Sequence, residues 1–391
     1  MEIYEPREDT FLILKQIEHF ASGNVLDMGT GSGVLAIEAA QTADNVIGVD
    51  INKDAVEFAS EQAKDYPNVQ FFHSDLFSYF KKNPMKFDLI IFNPPYLPED
   101  KKEPKESALA TTGGKKGHEV LERFFSEVSE YLMPYGRILV IFSSLTGKDK
   151  THEILEEYAF DYQKLAEKEE FMETLFVYII EKSDLLRAVE WKGIKNVKKI
   201  AKGHRGFIFI GNLEGKKVVV KKQRDDKPVT GRIVNEARWL KVLNRKGIGP
   251  KFLFLDVKNN YFCYEYVEGE FIPSFLEKAP KDEIKKVLKD VFEQCFKMDM
   301  MGIDKEEMHN PYKHVLVEDG KAVLLDFERV HSTEKPKNVT QFMQYVGNKR
   351  NTKILKEKGI KVDMRKWRAA ARRYKKEENK ENFKKILSLL S

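Results

Sequence analysis

The chain has 391 residues, of which 42% are hydrophobic, and this is enough for two or three domains with their own cores. Its two cysteines, Cys263 and Cys295, exclude a disulfide framework and predict a reducing, cytoplasmic setting. The sequence shows no signal-peptide pattern and no apolar run of roughly 20 residues, so we expect no membrane partner. The net charge is +5, but residues 346–391 carry sixteen Lys or Arg against five Asp or Glu, so a basic tail follows a mildly acidic body.

Short apolar runs alternate with helical periods over the first 180 residues. Six runs predict strands, namely 24–29, 45–50, 69–75, 87–93, 136–142 and 175–180, with helices between them. Alternation of strand and helix is typical of a doubly wound parallel sheet. We therefore predict an α/β, Rossmann-like domain over residues 1–183.

The pattern changes near residues 183–190. Residues 199–223 predict consecutive strands joined by glycine turns, and a helix follows and ends at Gly247. Helical sequence extends to about residue 301, and Asp319-Gly320 predicts the turn of a β-hairpin over residues 314–328. We expect an α+β domain over 190–345 and a basic helical tail over 346–391.

The segment VLDMGTGSGVLAIEA places glycines at the end of the first strand and the start of a helix. Gly29, Gly31 and Gly33 follow Asp27 with the spacing D-x-G-x-G-x-G. Glycines allow the backbone to approach a ligand closely, and the topological switch of such a sheet lies at this point. The spacing differs from the G-x-G-x-x-G of dinucleotide enzymes.

Two further carboxylates end the next strands. Asp50 ends the second strand, where a carboxylate can bind two ribose hydroxyls, and Asp75 ends the third, where it can accept from an adenine amino group. Acidic strand ends around a glycine turn favour a neutral or cationic nucleoside over a pyrophosphate. The alternative is that the carboxylates are ordinary strand-end caps. The constellation resembles the class I methyltransferases that depend on S-adenosylmethionine.

The fourth strand leaves through Asn-Pro-Pro-Tyr, in FDLIIFNPPYLPED. This motif resembles the signature of methyltransferases that act on planar nitrogens, either base amino groups or the glutamine amide. Asn93 can accept one N–H through its side-chain oxygen, and the carbonyl of Pro94 can accept the other. Pro95 and Pro94 fix φ and remove competing donors, and Tyr96 can stack on the planar group. The alternative is a proline-rich turn with a surface tyrosine.

The N-terminal YEPREDTFLIL and the later GGKKGHEVLERF carry a closer resemblance. They are similar to the HemK-like release-factor glutamine methyltransferases of the archaeal and eukaryotic branch, over about residues 3–181. The resemblance implies methylation of the glutamine in the Gly-Gly-Gln motif of a class I peptide release factor, and a small zinc-binding activator as partner. It implies cofactor contacts at Thr10, Asp27, Gly29, Asp50, Asp75, Leu76 and Asn93. The loop 97–112 departs from the pattern, and an adenine, RNA or DNA acceptor is the alternative.

The second part resembles protein kinases in the order of its motifs. Gly203 and Gly206 correspond to a phosphate-covering loop, and Lys221 and Glu236 to the strand lysine and its helix partner. Glu265 to Val267 correspond to the hinge that holds adenine, and Asp326 to the magnesium ligand. The short length is similar to RIO- and Bud-type kinases and to predicted archaeal Ser/Thr kinases. The resemblance implies ATP and magnesium.

No H-R-D-x-x-x-x-N motif precedes the hairpin. Asp304 or Glu307 is the candidate acid or base, and Asn310 or His314 the candidate second metal ligand. Lys222 could replace Lys221, although strand alternation favours Lys221. A nucleotide-binding pseudokinase is the alternative to an active phosphotransferase or ATPase.

The tail mixes basic residues with Trp367, Tyr374 and Phe383. Aromatic and basic residues together predict contact with RNA or the ribosome. The alternative is a solvated, charged face on helices packed against the preceding domain.

Overall fold

The computed structural model describes residues 5–99, 111–202, 206–224 and 231–390. The chain forms two compact units, Met1–Ile200 with Ile210–Gly215, and Ala201–Phe209 with Lys216–Ser391. Gly203 and most of the loop 97–112 lie outside the described residues. Within the described ranges, every helix is too short or too polar to cross a membrane.

The first unit contains a seven-stranded sheet. Its strands are β1 Asn24–Met28, β2 Asn45–Asp50, β3 Val69–His73, β4 Phe87–Phe92, β5 Leu132–Ser143, β6 Phe160–Glu169 and β7 Thr174–Lys182. They lie in the order β3-β2-β1-β4-β5-β7-β6. Neighbours from β3 to β5 are parallel, whereas β7 is antiparallel to β5 and β6. The order reverses between β1 and β4, so the switch point lies at their carboxyl ends.

The helices of the first unit pack on apolar side chains at alternate positions of the strands. The described helices are α1 Glu8–Phe20, α2 Val34–Ala39, α3 Lys53–Gln62, α4 Glu119–Glu127, α5 Lys148–Glu157 and α6 Asp184–Trp191. Leu89 and Ile91 of β4 share a core with Ile13 and Ile17 of α1. This packing places the first turn of α1 beside the end of β4. The α/β fold predicted for this part of the chain is confirmed.

Strand β6 was not predicted, and the predicted boundary near residues 183–190 differs from the division of the chain into Met1–Ile200 with Ile210–Gly215 and the rest. Most of β6 is polar and partly exposed because it is an edge strand that pairs with β7, so it has no apolar run. The first unit extends past the predicted boundary because α6 packs on it: Leu186 and Val189 are buried, and Lys182 donates to Glu190. A helix with this burial belongs to the core before it and not to a linker.

The second part of the chain begins with a five-stranded sheet. Its strands are β8 Lys195–Lys202, β9 Gly206–Leu213, β10 Lys216–Gln223, β11 Phe252–Asp256 and β12 Tyr261–Glu265, in the order β11-β12-β10-β9-β8. The pairs β10–β12 and β11–β12 are antiparallel. Helix α7, Arg232–Asn244, follows β10.

Further short strands and a helical bundle belong to the second unit. The strands are β13 Glu270–Phe271, β14 Ile303–Asp304, β15 Val315–Glu318, β16 Lys321–Leu324 and β17 His331–Ser332. The helices are α8 Ile272–Lys278, α9 Lys281–Met300, α10 Asn338–Val346, α11 Lys349–Glu357, α12 Met364–Lys376 and α13 Lys380–Ser388. The predicted hairpin is confirmed: β15 pairs with β16, and Asp319 and Gly320 both have positive φ.

The tail is part of the core of the second unit. Trp367 is 2% exposed and its indole N–H donates to the Met343 carbonyl at 2.9 Å. Tyr374 donates its hydroxyl to Asp299 at 3.0 Å, and Phe383 stacks on Phe296 at 4.2 Å between ring centroids. The aromatic side chains proposed to face RNA are therefore buried, and the structure favours the alternative of charged helices packed on the preceding domain.

We predict that Trp367→Ala lowers the free energy of unfolding of the second unit by about 3–5 kcal/mol, because it leaves a cavity and an unpaired carbonyl. Urea unfolding of the full chain, followed by far-UV circular dichroism, measures this change. Arg368→Ala, at the next and exposed position of α12, is the control and is expected to change little. Equal stability of both variants would contradict the placement of Trp367 in the core.

Candidate functional site

The glycine turn after β1 has the conformation that its sequence demands. Gly29, Gly31 and Gly33 have φ of 69°, 51° and 83°, in the region that favours glycine. A Cβ on Gly33 would lie 2.9 Å from the Cβ of Ala59, so this position also has no room for a side chain. The backbone N–H of Gly29 donates to the Val49 carbonyl at 2.8 Å, which ties the turn to β2.

Asp27 lies beneath this turn. Its Oδ2 accepts from the Thr30 hydroxyl at 2.6 Å, and its buried Oδ1 has no hydrogen-bond partner among the described residues. Burial raises the pKa of Asp27 to about 7. A cationic ligand nearby would stabilise its ionised form.

The carboxylates at the ends of β2 and after β3 have different partners. Asp50 accepts from the backbone N–H groups of Gly31 at 2.9 Å and Asn52 at 2.8 Å, and burial raises its pKa. Asp75 accepts two contacts from Arg123 Nη2, at 3.1 Å and 2.9 Å. Arg123 was not anticipated as a site residue, because only the fold brings α4 to the end of β3.

These elements surround a cavity of ≈ 970 Å³. The predicted site residues along its wall are Thr10, Gly29, Gly31, Asp50, Asp75, Leu76, Asn93, Pro94, Pro95 and Tyr96. Asp27 and Gly33 lie behind the wall, where they shape the turn. The described wall carries seven carboxylate side chains (Glu8, Asp9, Asp50, Asp75, Glu99, Glu170 and Glu173) and three cationic ones (Arg7, Lys115 and Arg123). The cavity is therefore acidic.

Asp9 holds the polar side chains of the Asn-Pro-Pro-Tyr segment. Asn93 donates through Nδ2 to Asp9 Oδ2 at 3.0 Å, and the Tyr96 hydroxyl approaches the same oxygen at 3.4 Å. Asp9 is 4% exposed, and its other oxygen accepts from the Thr10 N–H at 2.7 Å. With its amide nitrogen committed to Asp9, Asn93 has its carbonyl oxygen available as an acceptor.

A second glycine loop supports the same segment from its other side. A Cβ on Gly113 would lie 2.6 Å from the Pro95 carbonyl oxygen, and one on Gly117 would lie 2.6 Å from the Tyr96 carbonyl oxygen. The Gly113 N–H also donates to the Leu97 carbonyl at 2.9 Å. Only glycine permits this contact between the two backbones, so the loop fixes the course of the chain after Asn93.

The second unit has its own cluster of charged residues. Lys221 of β10 lies 2.7 Å from both carboxylate oxygens of Glu236 on α7, and 3.4 Å from Asp326 Oδ1. Burial opposes the charge of Lys221, but the two carboxylates outweigh it and raise its pKa. Burial likewise opposes the charge of Asp326, but Lys221 and Lys305 outweigh it and lower its pKa to about 2. The predicted pairing of Lys221 with Glu236 is present, and it favours Lys221 over Lys222.

The loop before the hairpin brings only some of its predicted residues to this cluster. One ligand atom from each of Glu307, His314 and Asp326 lies within 4.8 Å of the others, so this set could hold a metal ion. Asn310, proposed as a metal ligand, is exposed, and its N–H donates to the Glu307 carbonyl. Asp304, proposed as an acid or base, is buried and accepts from the Glu306 N–H at 2.9 Å, a contact that shapes the loop.

Gly206, Glu265 and Val267 are the remaining described residues that were predicted to contact a nucleotide, through their backbone atoms. Gly206 begins β9, where a Cβ would lie 2.6 Å from the Lys222 carbonyl oxygen. Glu265 ends β12, and its carboxylate pairs with Lys251 at 2.8 Å. Val267 lies between β12 and β13.

Comparison with known proteins identifies the first unit. Residues 8–173 match the family model of the methyltransferase small domain. Over 154 residues the chain is 44% identical to the "Putative protein N5-glutamine methyltransferase MJ0928" of Methanocaldococcus jannaschii, covering 38% of this chain and 77% of that protein.

Two further relatives are also named as methyltransferases. The chain is 34% identical over 152 residues to methyltransferase HEMK2 of Mus musculus, covering 36% of this chain and 71% of that protein. It is 34% identical over 181 residues to the release factor glutamine methyltransferase of Bacillus cereus, covering 41% of this chain and 62% of that protein.

The cavity fits the cofactor of these relatives. S-adenosylmethionine carries a sulfonium and an ammonium group, and the acidic wall and the Asp27 carboxylate suit those charges. The glycines with positive φ allow the backbone of the turn after β1 to lie close to a ligand in the cavity. Through its first unit, the chain belongs to the family of S-adenosylmethionine-dependent protein-glutamine methyltransferases that contain the methyltransferase small domain.

Proposed function

We propose that the first unit methylates the side-chain amide of the glutamine in the Gly-Gly-Gln motif of a class I peptide release factor. The observation that carries the proposal is the hydrogen bond from Asn93 Nδ2 to the buried Asp9 carboxylate. It leaves the Asn93 carbonyl oxygen to accept an N–H from the substrate. The name of the Bacillus cereus relative supports the choice of release factor.

An amide nitrogen is a weak nucleophile because its lone pair is delocalised into the carbonyl group. S-adenosylmethionine supplies the methyl group when bound. The protein must hold the acceptor NH₂ group at a fixed angle, and acceptors for both N–H bonds do this. Asn93 Oδ1 and the carbonyl of Pro94 are the proposed pair, and Tyr96 covers the planar group. Positioning of this kind supplies a large part of the rate enhancement in group transfer.

The charge of the cavity favours a protein over a nucleic acid as substrate. Seven carboxylates against three cations on the described wall would repel a phosphate backbone, which cationic side chains normally neutralise. The turn between β6 and β7 adds Phe171, which is 99% exposed, and Met172, which is 78% exposed, to the same wall. Exposed apolar side chains at the mouth suit contact with a polypeptide.

Radiolabelled S-adenosylmethionine, offered with purified release factor, with tRNA and rRNA, or with DNA, tests this proposal. We expect label in the release factor, mapped by mass spectrometry to the Gly-Gly-Gln glutamine, and a loss of at least about a hundredfold in Asn93→Ala. Asn83→Ala makes the same change at an exposed position and should retain activity. Label found only in nucleic acid would overturn the choice of substrate and leave the cofactor site intact.

We propose as well that the second unit is a kinase-like phosphotransferase or ATPase. Its support is the cluster of Lys221, Glu236 and Asp326, in which a partly buried lysine is held between a helix carboxylate and a carboxylate after β16. A lysine so placed can bind nucleotide phosphates, and Asp326 can bind the accompanying divalent ion. The sequence order of these residues, with Glu265 to Val267 between them, fits that function.

We predict that the full chain binds ATP in the presence of a divalent ion, and that Lys221→Met and Asp326→Asn each weaken binding at least tenfold. Lys222→Met is the matched control on β10 and should bind as the wild type does. Fluorescent ATP displacement, with Mg²⁺ and with Mn²⁺, measures the affinity. Equal binding by wild type and Asp326→Asn, or no binding by either, would remove the phosphotransferase assignment.

A zinc-binding activator protein remains a prediction from the resemblance. RNA contact through the exposed basic residues of α11 to α13 also remains a prediction. The buried aromatic side chains of these helices are no longer part of that predicted contact.

A further inference from the structure

His314 lies between two carboxylates with one ring nitrogen directed to each. Its Nε2 is 3.3 Å from Glu307 Oε2, and its Nδ1 is 3.9 Å from Asp326 Oδ2. Nδ1 is buried and has no hydrogen-bond partner among the described residues. A buried polar atom without a partner is costly, and a bound ion is one of the ordinary ways in which such an atom is satisfied.

The two oxygens of Asp326 are not equivalent. Oδ1 is 3.4 Å from Lys221 Nζ and accepts from the Glu328 N–H at 3.4 Å. Oδ2 is the oxygen that faces His314. The gap of 3.9 Å is too long for a hydrogen bond. Two ligand atoms about 2.1 Å from one ion and at right angles to each other are about 3 Å apart, so a shift of under about 1 Å would let an ion bridge them.

Glu307 is placed to orient the imidazole. Its Oε1 is held by Arg329 at 3.0 Å, which directs Oε2 to His314 Nε2. A metal-binding histidine commonly donates its second ring N–H to a carboxylate, which fixes both its tautomer and its ring plane. The arrangement found here has that form, with Nδ1 as the metal-facing nitrogen.

We propose that His314 Nδ1 and Asp326 Oδ2 form a divalent cation site, oriented by Glu307, that takes an ion of the Mn²⁺ type in preference to Mg²⁺. The inference deepens the proposed nucleotide site and rests on it for its role, but metal binding itself does not require nucleotide. Mg²⁺ is a small, hard ion that binds oxygen ligands almost exclusively, whereas Mn²⁺, which also favours oxygen, accepts an imidazole nitrogen more readily than Mg²⁺ does. A histidine in place of the amide ligand of ordinary kinases therefore changes the metal preference.

Mn²⁺ titration of the full chain without nucleotide, followed by electron paramagnetic resonance, tests the site. We expect wild type to bind Mn²⁺ at least tenfold more tightly than Mg²⁺ in competition, and its pulsed spectrum to show coupling to a directly bound ¹⁴N. His314→Asn, which substitutes an amide oxygen, should lose the ¹⁴N coupling and at least tenfold of the Mn²⁺ preference. Asn310→Ala is the control and should match the wild type.

A second variant keeps the test decisive if His314→Asn does not fold. Glu307→Gln should weaken Mn²⁺ binding by about 10- to 100-fold while the ¹⁴N coupling remains, as expected for a residue that positions the ligand. Absence of ¹⁴N coupling in the wild type, or an unchanged metal preference in His314→Asn, would overturn the proposal. Mn²⁺ binding with ¹⁴N coupling but no ATP binding would support the metal site and reject the phosphotransferase function.

Discussion

The hydrogen bond between Asp9 and Asn93 is the contact on which the proposed chemistry of the first unit depends. An asparagine side chain has a donor end and an acceptor end, and only the acceptor end can hold the N–H of an amide substrate. A hydrogen bond to a charged group is worth about 1.5–3 kcal/mol, which favours one orientation by roughly 10- to 150-fold. Burial of Ile13 and Ile17 against β4 keeps α1, and hence Asp9, at the end of that strand.

The second unit uses a comparable arrangement with full charges. Lys221, Glu236 and Asp326 come from β10, α7 and the segment after β16, and the lysine lies within ion-pair distance of both carboxylates. Glu236 is 4% exposed, and removing Lys221 would leave its buried carboxylate without a counter-charge, so the pair constrains β10 and α7. The same set leaves Asp326 Oδ2 directed to His314. Trp367 and Tyr374 of the tail helices pack into the hydrophobic core of the same unit.

The sequence predicted those features that depend on local pattern. Apolar runs gave the strands that carry Asp27, Asp50 and Asn93, and Asp319-Gly320 gave the hairpin turn. It could not give contacts between distant segments, such as Asn93 with Asp9 or Arg123 with Asp75, because residue spacing carries no information on them. The same reason explains why the sequence left the choice between Asn310 and His314 open. Both interpretations of the tail stayed open at the sequence level, because its aromatic residues are spaced among lysines and arginines and local pattern does not show which side of a helix packs on a core.

A double-mutant cycle on Asp9 and Asn93 tests the central claim most directly, with kcat for methyl transfer to the release factor as the readout. If Asp9 acts by orienting Asn93, each alanine variant alone loses about a hundredfold, and Asp9→Ala costs little more when Asn93→Ala is already present. Independent effects that multiply in the double variant would contradict the account, since Asp9 would then act on the reaction by another route.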